Sequence, residues 1–226
     1  MKKIKFLFYA IFSFPKTLFF NLRAFPLRTA IKLPVFIGCG VRILEIHKGV
    51  IDITDSKITK FIIRFGWGGS KVVPKRQRAS VSFSKGSKTT FHGRACFASG
   101  SVLDVTGNLS IGRNFSCNKN AFISCSKSVI IQNDVMLGWD VNIFDASGHT
   151  VYVNSKPTIS QKEIVIGNHV WLCSKSQILK GAVVGDGSIV GWGSIVTRRF
   201  IESNVLIAGN PAAVKKENVS WGSFIM

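Results

Sequence analysis

Four histidines occur in this 226-residue chain: His47, His92, His149 and His169. His149 is the one placed where it could act as a base. It follows Ser147 and Gly148 in the run FDASGHTVYV, and Asn154, Ser155, Lys156 and Pro157 come soon after. That composition predicts a loop, and loops carried on rigid elements are where sites tend to sit. Imidazole titrates near neutrality, so it can take a proton from a hydroxyl group. Taken alone, a histidine in a polar loop is more often plain surface. A base also needs its second ring nitrogen oriented. Asp145, four residues upstream, is a candidate for that task and reads equally well as a turn residue. Cys173 has no histidine at a useful spacing, so a nucleophilic thiol is a weak idea. The glycine-rich run GDGSIVGWGS lacks GKS/T and a following helix, which excludes a phosphate-binding P-loop.

The elements that must hold this loop announce themselves by a period of six. Steps of six from Ile111 reach Cys117, Ile123, Val129, Val135 and Val141. Steps of six from Ile166 reach Leu172, Ile178, Val184, Val190 and Val196. Four residues after each member of the second block's first five stand Val170, Ser176, Ala182, Ser188 and Ser194. Phe91, Phe97, Leu103 and Leu109 also fall six apart, in a slightly different phase. A short strand and a tight turn take six residues, and three such units close a triangular coil. One aliphatic side chain per unit points into the prism, and small residues turn the corners. Hexapeptide periodicity is the signature of a parallel β-helix, and neither an α-helix nor simple alternation produces it. The two blocks make about four coils, and the less regular stretch before Gly107 adds about two or three more. Ile166 lies twenty-five residues after Val141, one more than four units, so residues 145–163 must leave the coil as a loop.

The run IVIGNHVWLCSKSQILKGAVVGDGSIVGWGSIVT, followed by VLIAGNPAAV, resembles the hexapeptide-repeat acetyltransferases. These include galactoside, maltose and bacterial polysaccharide O-acetyltransferases. The upstream IGRNFSCNKNAFI and the Gly-His loop match the same family, and the closing KKENVSW is most similar to the capsule and lipopolysaccharide branch, including enzymes acting on sialic acid polymers. The resemblance covers Leu109 to Glu217. It implies an all-β, left-handed parallel β-helix, a homotrimer with sites between subunits, acetyl-CoA as co-substrate, and no metal. It also implies His149 as a general base for direct attack of a sugar hydroxyl on the thioester. Asn118 and Asn120 match a paired Asn, one of which contacts the acceptor; left-handed turn geometry is an equal reading for them. Trp171 corresponds to a residue near acceptor and donor. Ser174, Thr197, Arg198, Ala208, Gly209 and Lys216 correspond to the CoA groove. Two positions depart from the family pattern. Ser147 stands where many relatives carry an acid, and Trp192 stands where they carry a small residue along the CoA groove.

The resulting domain plan is a basic, aromatic arm over residues 1–30, the β-helix over 31–214 with its excursion at 145–163, and a tail over 215–226. Residues 1–44 hold eight basic side chains and no acid; Glu45 is the first. The apolar run from Ile4 to Phe14 is about half the ~20 residues a bilayer span needs, and Pro15 interrupts it. Two readings of the arm stand open: an interfacial segment on the inner face of an anionic membrane, or an arm packed on the domain or a partner subunit. The formal charge of +19 favours anionic partners, such as an acidic saccharide or CoA phosphates. No helix-turn-helix, zinc-finger or RNP-like motif points to nucleic acid. Five cysteines without a CxxC pair argue against a zinc site or disulfide framework and favour the cytoplasm. The expected activity is O-acetylation of a bacterial surface saccharide. N-acetylation of an amino sugar on a nucleotide or lipid carrier, and a non-catalytic glycan-binding β-helix, are the alternatives. A zinc hydratase would need His92, His149 and His169 to converge on one metal.

Overall fold

Short β-branched segments alternating with turns fold, in the computed structural model, into a parallel β-helix of seven coils with three flat faces; the structure describes residues 2–222, with side chains from Phe8 onward. The first sheet runs from Val35–Ile37 to Leu206–Gly209, the second from Arg42–Glu45 to Ile195–Val196, and the third from Ile51–Ile53 to Arg199–Phe200. All pairings between coils are parallel. The last strand, Ala212–Lys216, turns back antiparallel on Leu206–Gly209 and closes that end. The periodicity's parallel β-helix is thus the architecture found, and it is consistent with the left-handed form that the family resemblance implies.

The periodic residues fill the prism. Ile166, Leu172, Ile178, Val184, Val190 and Val196 are buried, as are Ile111, Cys117, Ile123, Val129, Val135 and Val141. The corner residues Ser176, Ala182, Ser188 and Ser194 are buried as well. The phase slip between the blocks has a simple cause. In the later coils Leu172 pairs with Val190, eighteen residues on. In the earlier coils Phe115 pairs with Ala95 and Ile131 with Ile111, twenty residues apart. The two extra residues sit at the corner between the second and third sheets, for example Ser126 and Lys127. A strict step of six therefore drifts from one inward slot to the next. Phenylalanines (Phe65, Phe91, Phe97 and Phe115) pack the wider early coils, with Phe65 and Phe97 stacked at 4.4 Å.

A β-helix leaves an open edge at its first coil, whose unpaired N–H and C=O groups invite aggregation unless covered. Helix α1 (Lys2–Ala24) covers it, followed by the short α2 (Leu27–Ala30). Ser13, Thr17 and Asn21 recur every four residues and so share one helix face. The Asn21 amide donates to Val35 O at 2.7 Å and accepts Val35 N–H at 3.1 Å. Thr17 Oγ1 does the same with Ile37, Ser13 Oγ accepts the Cys39 N–H, and Lys16 Nζ donates to Cys39 O and Val41 O. The side chains of α1 thus act as an extra strand for the edge. The packed arm is one of the two readings made from the sequence; its outward face is a separate matter.

Candidate active site

The fifth coil leaves the prism after Asn142–Phe144 and returns at Ile164–Ile166. The intervening loop has a hydrogen-bonded neck. Ser147 N–H donates to Ser160 O, Lys162 N–H to Asp145 O, and Ala146 bridges Gln161. Beyond the neck, Tyr152–Val153 and Lys156–Pro157 form a hairpin, with Asn154 and Ser155 at positive φ in the turn. Gly148 has φ +73°, a conformation open to glycine at no steric cost, and it presents His149 exposed at the loop's side. Lys180, one coil on, clamps the loop from beneath: its Nζ donates to Ser147 Oγ and to Ile159 O.

Two cavities flank this clamp. One, of about 680 Å³, is lined by Ser124, Phe144, Ser147, Gly148, Lys180 and Thr197, among others. The second, of about 620 Å³, continues past Lys180 and Thr197 to Lys162, Arg198 and Arg199, with Glu163 the acid on its rim. Four cations around one opening suit a ligand bearing phosphates, which charge-assisted hydrogen bonds hold best. Lys180 was not singled out by sequence; an isolated lysine in a repeat corner has no spacing signal.

Asp145 corrects an expectation. Its side chain is fully buried, and its two oxygens accept the backbone N–H groups of Ser126, Lys127 and Ser128, each at 2.7 Å. Successive N–H groups in a turn form an anion-holding nest. The carboxylate therefore fastens the loop's base to the coil below and does not orient His149. Asn118 and Asn120 are also committed elsewhere. Asn118 Oδ1 accepts the N–H of Ser70 and of Lys119, while Asn120 accepts Arg76 N–H and donates to Pro74 O. With Lys119 Nζ on Val73 O and Arg76 on Asp140 at 3.1 Å, they strap the basic segment around Lys71–Arg78 to the corner between the first and second sheets. Asn120 is buried with φ +62°, so the turn reading describes it and the acceptor reading does not.

The residues expected along the donor groove divide between two edges of the second sheet. Thr197 and Arg198 lie at the His149 edge. Ser174, Trp192, Ala208 and Gly209 lie at the opposite corner. There Gly138 lets the coils close in, since a Cβ would fall 2.5 Å from Ser174 N. Ser174 Oγ accepts Trp139 N–H, and Ser194 Oγ accepts Gly209 N–H. Trp192 is 58% exposed, edge-on to Trp139 at 5.3 Å, with Lys175 Nζ over its ring at 5.6 Å. Lys216 ends the closing strand. Trp171 points outward from the first sheet beside Trp221, which stacks on His169 at 4.2 Å.

Burial pushes the Cys173 thiol up to about 11, so at neutral pH it is a thiol and not a nucleophile. Cys173→Ala is accordingly expected to keep wild-type turnover; loss of turnover with the fold intact, by circular dichroism, would revive the thiol. No cluster of three His, Cys, Asp or Glu side chains among the described residues could hold a metal ion.

No family model matches the chain. It is 38% identical over 112 residues to the galactoside O-acetyltransferase of Escherichia coli K12, which covers 49% of this chain and 54% of that protein. It is 34% identical over 126 residues to the polysialic acid O-acetyltransferase of Escherichia coli O1:K1, covering 54% and 41%. The chain thus spans about half the length of the curated relatives it matches. Among solved structures, the polySia-specific acetyltransferase NeuO aligns over 84% of this chain and 71% of that one, with 23% identity and a TM-score of 0.46. Fold and loop define a hexapeptide-repeat β-helix, and its homologues are O-acetyltransferases of galactoside and of polysialic acid.

Proposed function

We propose that this chain transfers an acetyl group from acetyl-CoA to a hydroxyl of a bacterial surface saccharide, of capsule or lipopolysaccharide type, in the cytoplasm. The observation that carries the reading is the clamped Gly148–His149 loop beside a cation-rimmed cavity, in a chain related to O-acetyltransferases. His149 removes the hydroxyl proton as the acceptor oxygen attacks the thioester carbonyl. The C–S bond breaks, and CoA leaves as a thiol after receiving a proton. Nothing is carried covalently by the enzyme. Thr197 and Arg198 receive the donor's phosphates together with Lys180. Ser174, Trp171, Trp192, Ala208, Gly209 and Lys216 line the remainder of the donor and acceptor path.

The assignment calls for a homotrimer. The two groups of donor residues lie on opposite edges of one sheet, and cyclic packing sets one edge of a subunit against the other edge of its neighbour. The net charge of +19 favours an anionic saccharide. The test is thiol release from acetyl-CoA with a panel of acidic and neutral saccharides. Release that requires a saccharide, with acetyl recovered as an ester, is expected. Recovery of acetyl only as an amide would assign N-acetylation instead. Acetyl-CoA binding without release for any acceptor would favour a glycan-binding role.

A further inference from the structure

Helix α1 is amphipathic in the reverse sense. Its polar seam, Ser13, Thr17 and Asn21, faces the protein and is fully buried. Its apolar seam faces outward: Phe8, Ile11, Phe12, Leu18, Phe19 and Leu22 recur at three-, four- and seven-residue steps, with Phe8 61% and Phe12 74% exposed. Leu27 and Ile31, at 67% exposure each, extend the surface past α2. Beside it, a groove of about 690 Å³ runs between Phe12, Phe19 and Leu44 and is edged by Arg42 and Arg78. A continuous apolar face of this kind on a water-soluble surface marks something that covers it.

Charge selects the cover. Residues 1–44 contain eight basic side chains and no acid. Arg23, Arg28 and Lys32 are exposed around the apolar seam. A second copy docking through this face would set basic residues against basic residues, with no acid to answer them. A bilayer rich in anionic lipid offers both parts at once: acyl chains for the phenylalanines and phosphate headgroups for the cations. No described helix is long and apolar enough to cross a membrane, so the helix would lie in the interface. We infer that α1 and α2 dock this protein flat on an anionic membrane, with the apolar seam among the upper acyl chains and Arg23, Arg28 and Lys32 at the headgroups. The edge-covering bonds of Ser13, Thr17 and Asn21 then make the membrane anchor and the β-helix one rigid unit. This inference does not depend on the catalytic reading.

Flotation of the full chain with lipid vesicles tests it without measuring activity. Vesicles of phosphatidylcholine alone are compared with phosphatidylcholine mixed with phosphatidylglycerol. The protein is expected to float with the anionic vesicles, and binding should weaken as salt rises. A Phe8→Ser, Phe12→Ser, Phe19→Ser variant should lose about tenfold or more of the bound fraction, because three exposed rings no longer leave water. Arg23→Gln and Arg28→Gln should each cost about fivefold. All five positions are exposed, and an unchanged circular dichroism melt of each variant confirms an intact fold. Equal flotation with both vesicle types would overturn the anionic-lipid assignment. Wild-type flotation by the triple-Ser variant, or no flotation of the wild type, would overturn the membrane contact. Oligomers that dissociate in the triple-Ser variant, without vesicle binding, would assign the face to a second copy.

Discussion

On the proposed function, replacing His149 by alanine is expected to lower saccharide acetylation by about 10²- to 10⁴-fold, the range a positioned general base contributes. The physical basis is specific. The acceptor hydroxyl is a poor nucleophile until its proton leaves, and His149 is exposed on the loop whose Ser147 and Gly148 line the first cavity. The loss should fall on kcat, and the KM for acetyl-CoA should change little, because the interaction is made in the transition state and not in donor binding. His149 is exposed, and surface substitutions of this kind move stability within about 0.5 kcal/mol. Steady-state kinetics together with a thermal melt therefore separate chemistry from folding. A variant that melts like wild type and turns over like wild type would remove His149 from the reaction.

How much of this was legible in the sequence depended on which contacts repeat. The inward aliphatic positions recur because every coil presents the same slot, so periodicity alone located the prism and the excursion at 145–163. The early coils blurred the signal because they carry two more residues than three hexapeptides. One of them also holds the basic segment strapped down by Asn118 and Asn120. Contacts between coils were the ones sequence could not show. Asp145 binds N–H groups seventeen to nineteen residues upstream, which is one turn of the solenoid. Lys180 reaches the loop by thirty-three and twenty-one residues. Neither spacing means anything until the coil length at that corner is known. The reverse amphipathicity of α1 was hidden for another reason. The composition showed aromatic and basic residues together, and it took the docked helix to show that the polar seam faces inward with Phe20 and Ala24, while the other apolar residues face outward.

Replacing Asp145 by alanine is expected to be the more damaging change to the fold. Three backbone N–H groups converge on this one buried carboxylate. Hydrogen bonds to a charged group are worth about 1.5–3 kcal/mol each, and donors left unpaired add their desolvation cost. Water entering the vacated corner recovers part of this, so the net loss should be about 3–5 kcal/mol. For a chain of this length that lowers Tm by about 6–20 °C. Asp145→Asn should be destabilising too, since an amide turns a donor toward a nest of donors. The same substitutions distinguish an anchor from an orienting partner of His149. An orienting partner would leave the melt unchanged, lower kcat and displace its pH dependence. An anchor lowers the melt. Below that melt, it reduces kcat only as far as the Gly148–His149 loop moves, and it leaves the shape of the pH profile as it was. The three bonds at 2.7 Å commit both carboxylate oxygens to the backbone, so the second pattern is the one expected.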